Sequence, residues 1–326
     1  MQETLEHTPS EEEIRAPRRL IKFNRHDADG LAKRLTGLIT LLASLLVPII
    51  AIVLLLRAWP LLSSKPLHDL LLGTEWSPYQ GLFGFLPFIV GTLWVTLLAM
   101  CVTVPPSLLT AIYLAEYTPS RIRLLIKPLI DLLAGIPSVV YGVWGVLTLV
   151  PIVEHKIVPF CTTYLGWLPF LSSENPTGFG VLSGGLVLAV MVFPIIISVA
   201  EEVIHAVPQG LREASLALGA THWETTKYIV MRQALPGVAA AVILGFSRAF
   251  GETMAVMMVV GNIPQIPDSL FDAAYPLTAL IANNYGEMLS VPMYDSALLT
   301  AALILLIVVL IFNILSRLVL LRLRRY

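Results

Sequence analysis

The chain has 326 residues, of which 56% are hydrophobic and 13% charged, with a formal net charge of −1. Soluble domains carry about 25% charged residues, so the composition excludes an ordinary water-soluble domain. Two cysteines make no disulfide framework, and the six scattered histidines show no metal-ligand spacing.

The N-terminal tail, residues 1–34, divides by charge. Residues 3–13 are rich in glutamate, whereas residues 15–34 carry Arg15, Arg18, Arg19, Lys22, Arg25, Lys33 and Arg34. A basic segment beside a span lies against anionic headgroups. A regulator-binding arm is the other reading.

A helix needs about 20 apolar residues to cross a bilayer. Six spans are expected, at 35–56, 88–115, 130–151, 182–205, 235–261 and 296–318. The first is too long for a signal-peptide core and lacks a small-residue cleavage site, so it is expected to remain as an anchor. The second lies in an uncharged stretch, 82–115, too long for one upright helix and interrupted by Pro105-Pro106. A kinked span fits, and so does a span followed by an interfacial helix. "AGIPSVVYGVWG" (134–145) puts Pro137 inside the third span, among Gly135, Gly142 and Gly145. "GVLSG" (180–184) has the small-xxx-small form. Small residues let helices approach closely in lipid, so ordinary packing accounts for both segments. Cys101 falls in a span and Cys161 in a loop.

Of the 21 lysines and arginines, seventeen lie in the tail, in the loops near 116–129 and 206–234, and after 316. Three lie in the opposite loops, so the even span count places both termini in the cytoplasm. The opposite loops, 57–85, 152–181 and 262–295, carry net charges of 0, −1 and −4. Such a face does not steer a small anion inward, so an anionic cargo would need a carrier. Within 262–295, Leu277, Leu280, Ile281, Met288 and Leu289 fall at helical spacing. That pattern predicts a short amphipathic helix lying on the membrane.

The loop 201–237 is long and well punctuated. "LREASLAL" is a good helix former, and Gly219 offers the left-handed residue that ends a helix. Thr221 with Glu224 three positions later forms a capping box for a second helix. The prediction is helix, tight turn, helix, running into the fifth span. So defined a loop reads as a contact surface for a partner; passive connection is the alternative.

"REASLALGATHWETTKYIV" resembles the glutamate-alanine-alanine (EAA) loop of ABC-importer permeases. The match falls on Glu213, Ala214, Gly219 and Ile229, with Ser215 in place of the usual second alanine. Met231 and Arg232 stand where the family commonly has leucine-proline, and a later Leu235-Pro236-Gly237 is kept. "AGIPSVVYGVWG", "SRAFGETMAVMMVVGN" and "SLFDAAYPLTALIANNYGE" are similar to the PstC-type subunit of bacterial phosphate ABC transporters, a resemblance covering about 35–322. It implies an all-α, polytopic type I ABC-importer permease in the bacterial inner membrane, with no cofactor of its own. It also implies a PstA-type second permease, two copies of a cytoplasmic ATPase that docks at Glu213, Ala214, Ser215 and Gly219, and a periplasmic phosphate-binding protein. Nucleic acid is not an expected partner. The domain division is a tail (1–34), a permease domain (35–322) and a short C-terminal end (323–326).

The fifth span contains Arg248 and Glu252. An arginine at bilayer depth costs roughly 2.5–3.5 kcal/mol on insertion scales and tends to mark a protein interior or a substrate path. Glu252 is four positions on, hence on the same face of a continuous helix. The order Arg before Glu is the less favourable one for helix stability. Either the two neutralise each other or a neighbouring helix, or Arg248 lines the path and receives an anion, with Glu252 holding it when the path is empty. Guanidinium matches phosphate oxygens bidentately. Ser247, Thr253 and Asn262 are further candidate hydrogen-bonding groups. The chain has no G-x-x-x-x-G-K-[ST] loop, and no nucleophile–base or metal constellation. A transport subunit is therefore expected rather than an enzyme, with ATP hydrolysed on a partner. Inorganic phosphate is the expected cargo; molybdate or sulfate is the alternative.

Overall fold

The computed structural model describes residues 25–164, 166–171, 177–287 and 291–323. The expectations for residues 1–24, for Met288 and Leu289, and for residues 324–326 lie outside them. The chain divides into two units between Ile52 and Val53. As far as it is described, the first is one helix, the N-terminal part of α1 (Arg25–Ser64). From Leu35 onward its sequence is apolar all round, as a bilayer span requires.

The second unit holds the end of α1 and every later element. α2 (Leu67–Leu72) leads to a small antiparallel hairpin, β1 (Trp76–Ser77) and β2 (Leu82–Phe83), pairing Trp76 with Phe83 and Ser77 with Leu82. Then come α3 (Leu86–Ile112), α4 (Ser120–Ala134), α5 (Ser138–Trp144), α6 (Val150–Ile152) and α7 (Val158–Tyr164). α8 (Val181–His205), α9 (Gln209–Ala217), α10 (His222–Glu224), α11 (Met231–Gly251) and α12 (Met254–Val259) follow. α13 (Leu277–Asn284) and α14 (Tyr294–Leu323) complete the order. Wider π turns join α5, α6 and α7 into one rod, join α10 to α11, and extend α3 to Tyr117.

Among the described residues, six helices are long and apolar enough to cross a membrane: Asp29–Ser64, Leu86–Tyr117, Ser138–Tyr164, Val181–His205, His222–Gly251 and Tyr294–Arg322. Helices satisfy every backbone polar group internally, which hydrocarbon demands. The second span is one helix with Pro105 and Pro106 inside it. The fourth falls where the sequence placed it.

The third and fifth spans differ from expectation. The third is Ser138–Tyr164 rather than 130–151. Pro137 disfavours helical geometry at Ile136 and caps a new helix. The stretch before it belongs to α4, whose Arg123 and Lys127 face a carboxylate on α8. Cys161 accordingly lies in a helix, buried, and not in a loop. The fifth span starts early, at His222, and stops at Gly251. α13 forms over Leu277, Leu280 and Ile281 of the predicted pattern, and its apolar face is covered by protein. Leu277, Ala279 and Leu280 are fully buried in a cluster with Phe85, Phe88, Tyr294 and Leu298.

α3 and α8 pack along most of their lengths, around Val95, Ala99, Leu188 and Val192. Thr103 Oγ1 donates to the Ala189 carbonyl at 3.0 Å across that seam. Gly142 and Gly145 have a packing role: a Cβ on Gly142 would meet Met258 Sδ at 2.6 Å and Ala255 Cα at 3.2 Å, and one on Gly145 would meet Val187 Cγ2 at 2.6 Å. Gly142 thus lets α5 lie directly on α12.

Candidate functional site

The apolar run 235–261, expected as one span, is broken. α11 ends at Gly251, and Glu252 takes an extended conformation (φ −73°, ψ 130°) before α12 begins at Met254. Non-helical backbone within an apolar stretch is tolerated where protein buries it or where it lines a cavity. Both hold at this break. The Glu252 carbonyl accepts from Thr278 Oγ1 at 3.0 Å, and Glu252 Oε1 accepts from the Ala255 amide at 3.1 Å. Beside it lies a cavity of ≈ 10 Å³, the size of one water, lined in part by Thr92, Thr96, Glu252 and Thr278.

This geometry corrects the expected pairing. With the helix stopped at Gly251, Arg248 and Glu252 do not share a helix face. Among the described residues no ion pair joins them. Arg248 sits exposed in the last turn of α11, and α5 carries the hydroxyl of Tyr141. That hydroxyl donates to the Leu133 carbonyl at 2.7 Å. The neighbouring candidates have structural partners. Ser247 donates to Asn313 Oδ1 on α14 at 3.3 Å, and Asn262 Nδ2 donates to the Met257 carbonyl at 2.7 Å. Thr253 reaches the Gly251 carbonyl at 3.5 Å.

The helix–turn–helix predicted between the fourth and fifth spans is present. Gly219 takes φ +87°, its amide bonds to the Leu216 carbonyl, and the Ala220 amide bonds to the Ser215 carbonyl at 3.3 Å. These two bonds close the end of α9. The capping box also forms: Glu224 Oε2 accepts from the Thr221 amide at 2.8 Å, and Thr221 Oγ1 accepts from the Glu224 amide at 3.3 Å. Ser215, where the family pattern has alanine, lies 2.9 Å from Thr225 Oγ1 and ties the two helices together. Glu213 and Ala214 are exposed. So are Leu211, Leu216, Leu218 and Trp223, with Leu218 at 90%. The loop thus carries several large apolar side chains exposed among polar ones.

The sequence reading missed the ion pairs beneath this loop. Arg212, on α9, reaches Glu116, with Nη2 at 2.7 Å from Glu116 Oε1 and side-chain exposures of 11% and 3%. Arg123 and Lys127, on α4, approach the two oxygens of Glu201 at 2.6 and 3.3 Å. Glu201 is 2% exposed, near the end of α8. Each carboxylate stands at the boundary between an apolar run and a basic loop, which is the one signal the sequence offered.

A chain of the inward-facing MetNI methionine ABC transporter superposes on this fold with a TM-score of 0.51, covering 72% of this chain and 93% of that one. At 19% identity that likeness carries the fold alone. Among the described residues, six bilayer-length helices and a capped helix–turn–helix leading into the fifth of them thus define a polytopic membrane protein of the type I ABC-importer permease fold. The chain belongs to the family described as the binding-protein-dependent transport system inner membrane component, which matches residues 107–325. It is 42% identical over 255 residues to the phosphate transport system permease protein PstC of Xylella fastidiosa, covering 77% of this chain and 78% of the relative. It is 36% identical over 306 residues to that of Haemophilus influenzae, covering 93% and 96%.

Proposed function

We propose that this chain is the permease subunit of an ATP-driven importer for inorganic phosphate, with residues 35–322 acting as its permease domain. The names of the relatives at 42% and 36% identity support the cargo. The observation that carries the coupling role is the α9 turn, a closed helix end presenting exposed Leu218 and Trp223. An ATPase subunit docks there, two copies serving this chain and a PstA-type second permease. A periplasmic binding protein delivers the anion to the acidic loops, which would not attract it unaided. The lysine and arginine distribution supports cytoplasmic termini in the bacterial inner membrane. No cofactor is assigned to this chain.

In this reading Arg248 contacts the anion in the path. An exposed arginine within a span needs a wet cavity or a partner helix, and a shared path between two permeases supplies both. Glu252 belongs to the same stretch, fixing the break that sets where α11 ends. Closure of the ATPase pair on ATP moves α9, and the spans switch their opening from one side to the other.

The test is ATP-driven uptake of labelled phosphate by the assembled complex, with unlabelled sulfate and molybdate as competitors. Arg248→Gln is run beside the parent. The expected result is selective uptake by the parent, and an assembled variant that does not transport. Normal uptake by the variant would make Arg248 structural. Competition by molybdate or sulfate at equal strength would move the cargo to another tetrahedral oxyanion.

A further inference from the structure

Arg212 binds three separate segments with one guanidinium. Nε and Nη2 both donate to the Glu116 carboxylate, at 3.2 and 2.7 Å, in the turn that ends the second span. Nη2 also donates to the Ile204 carbonyl at 3.0 Å, at the end of α8, and Nη1 donates to the Val207 carbonyl in the linker before α9. A planar fork of five donors makes this geometry, and a lysine does not. Among the described residues, no other side chain of α9 makes a polar contact to α3 or α8. Ser215 ties α9 instead to Thr225, at the start of the fifth span.

The receiving end is stiff. α3 and α8 are sewn together by Thr103 to Ala189 and by Ser107 to Phe193, at 3.0 and 3.5 Å. Near the basic end they share a buried cluster of Ala111, Ala200 and Ile204. Glu116 itself sits in a π turn, a wider turn often found at functional sites. A displacement of α9 applied through Arg212 therefore moves the paired spans as one body.

We infer that Arg212 is a positioning residue that couples movement of the α9 helix to the second and fourth spans. Glu116 and the Ile204 and Val207 carbonyls form its seat. The inference rests on the reading of α9 as the docking helix for an ATPase.

The experiment uses the complete complex in proteoliposomes: both permeases, the ATPase and the binding protein. It compares the parent with Arg212→Lys, Arg212→Gln and the double variant Arg212→Gln/Glu116→Gln. Three quantities are read: ATPase retained on purification, ATP hydrolysed, and phosphate imported per ATP. The double variant removes both charges together, so no lone buried charge threatens folding. The expected result is full ATPase retention and continuing hydrolysis in the double variant. Its import per ATP falls by roughly tenfold or more, within the span of ordinary coupling between sites. Arg212→Lys falls between it and the parent. Two results overturn the inference. In one, the double variant imports as the parent does, so the pair serves only to neutralise itself. In the other, the double variant loses the ATPase, so Arg212 holds the docking surface and not the coupling. If the parent itself retains no ATPase, the docking reading has failed, and this inference with it.

Discussion

Glu252 accepts the amide of Ala255 at 3.1 Å and so caps the short helix beyond the break, instead of meeting Arg248 one turn back. The carboxylate is needed there as an acceptor, not as a counter-charge. Glu252→Gln keeps an acceptor oxygen and is expected to unfold at the parental temperature. Glu252→Ala removes it and costs about 1 kcal/mol, the usual loss at a capped helix start. Thermal unfolding of the purified protein in lipid discs checks both. Equal destabilisation by the two variants would mean that the charge matters after all.

Gly142 gives a second prediction. Gly142→Val places a branched side chain against Met258 and the backbone of Ala255, so α5 and α12 must part. Overpacking of this kind costs about 1–3 kcal/mol. The variant is expected to melt several degrees lower, whereas Gly30→Ala, with open space around it, is expected to melt as the parent does. A parental melting temperature for Gly142→Val would deny the close seam.

Glu201 receives both Arg123 and Lys127. Glu201→Ala leaves two cations side by side at the edge of a buried site. Both keep some access to water, with side-chain exposures of 20% and 35%, so the cost stays below that of a lone enclosed charge. A loss of about 1–3 kcal/mol is expected. Loosening of α4 should also expose the segment around Thr118 and Pro119 to protease first. A digestion pattern identical to the parent's would count against this anchoring of α4.

Sidedness is testable with single cysteines in a Cys101→Ser, Cys161→Ser background. Tyr79 precedes the second span and Leu218 the fifth, so alternating spans put them on opposite sides, and they are 78% and 90% exposed. A membrane-impermeant maleimide on intact cells should label Tyr79→Cys. It should label Leu218→Cys only after the membrane is opened. The reverse pattern would invert the topology drawn from the charge bias.

Much of this fold is legible in the amino-acid order. Uncharged runs marked five of the spans, an apolar run broken only by Arg248 and Glu252 marked the other, and Gly219, Thr221 and Glu224 marked the turn between α9 and α10. The misplacements have a common cause. The uncharged run that begins at Leu132 closes α4, passes through a turn and only then enters the third span, and Pro137 was the sign of it. Gly251 likewise sits where α11 stops, but a helix end inside an apolar stretch looks from the sequence like more helix. α13 is buried because Phe85, Phe88 and Tyr294 happen to surround it, and helical spacing carries no record of neighbours. Arg212 and Glu116 stand far apart in sequence, so only the folded chain brings them together.

The locked turn at Gly219 and Thr221 has a consequence for the rhythm of the working machine. Ordering a flexible residue costs about 1–2 kcal/mol of conformational entropy. Here that ordering is completed during folding, so the docking partner proposed for this turn would meet a surface already in shape. Encounter then resembles the meeting of two hard objects, fast to form and free to separate. A mechanical joint that must be loaded and unloaded on every turnover benefits from parts that do not melt between strokes.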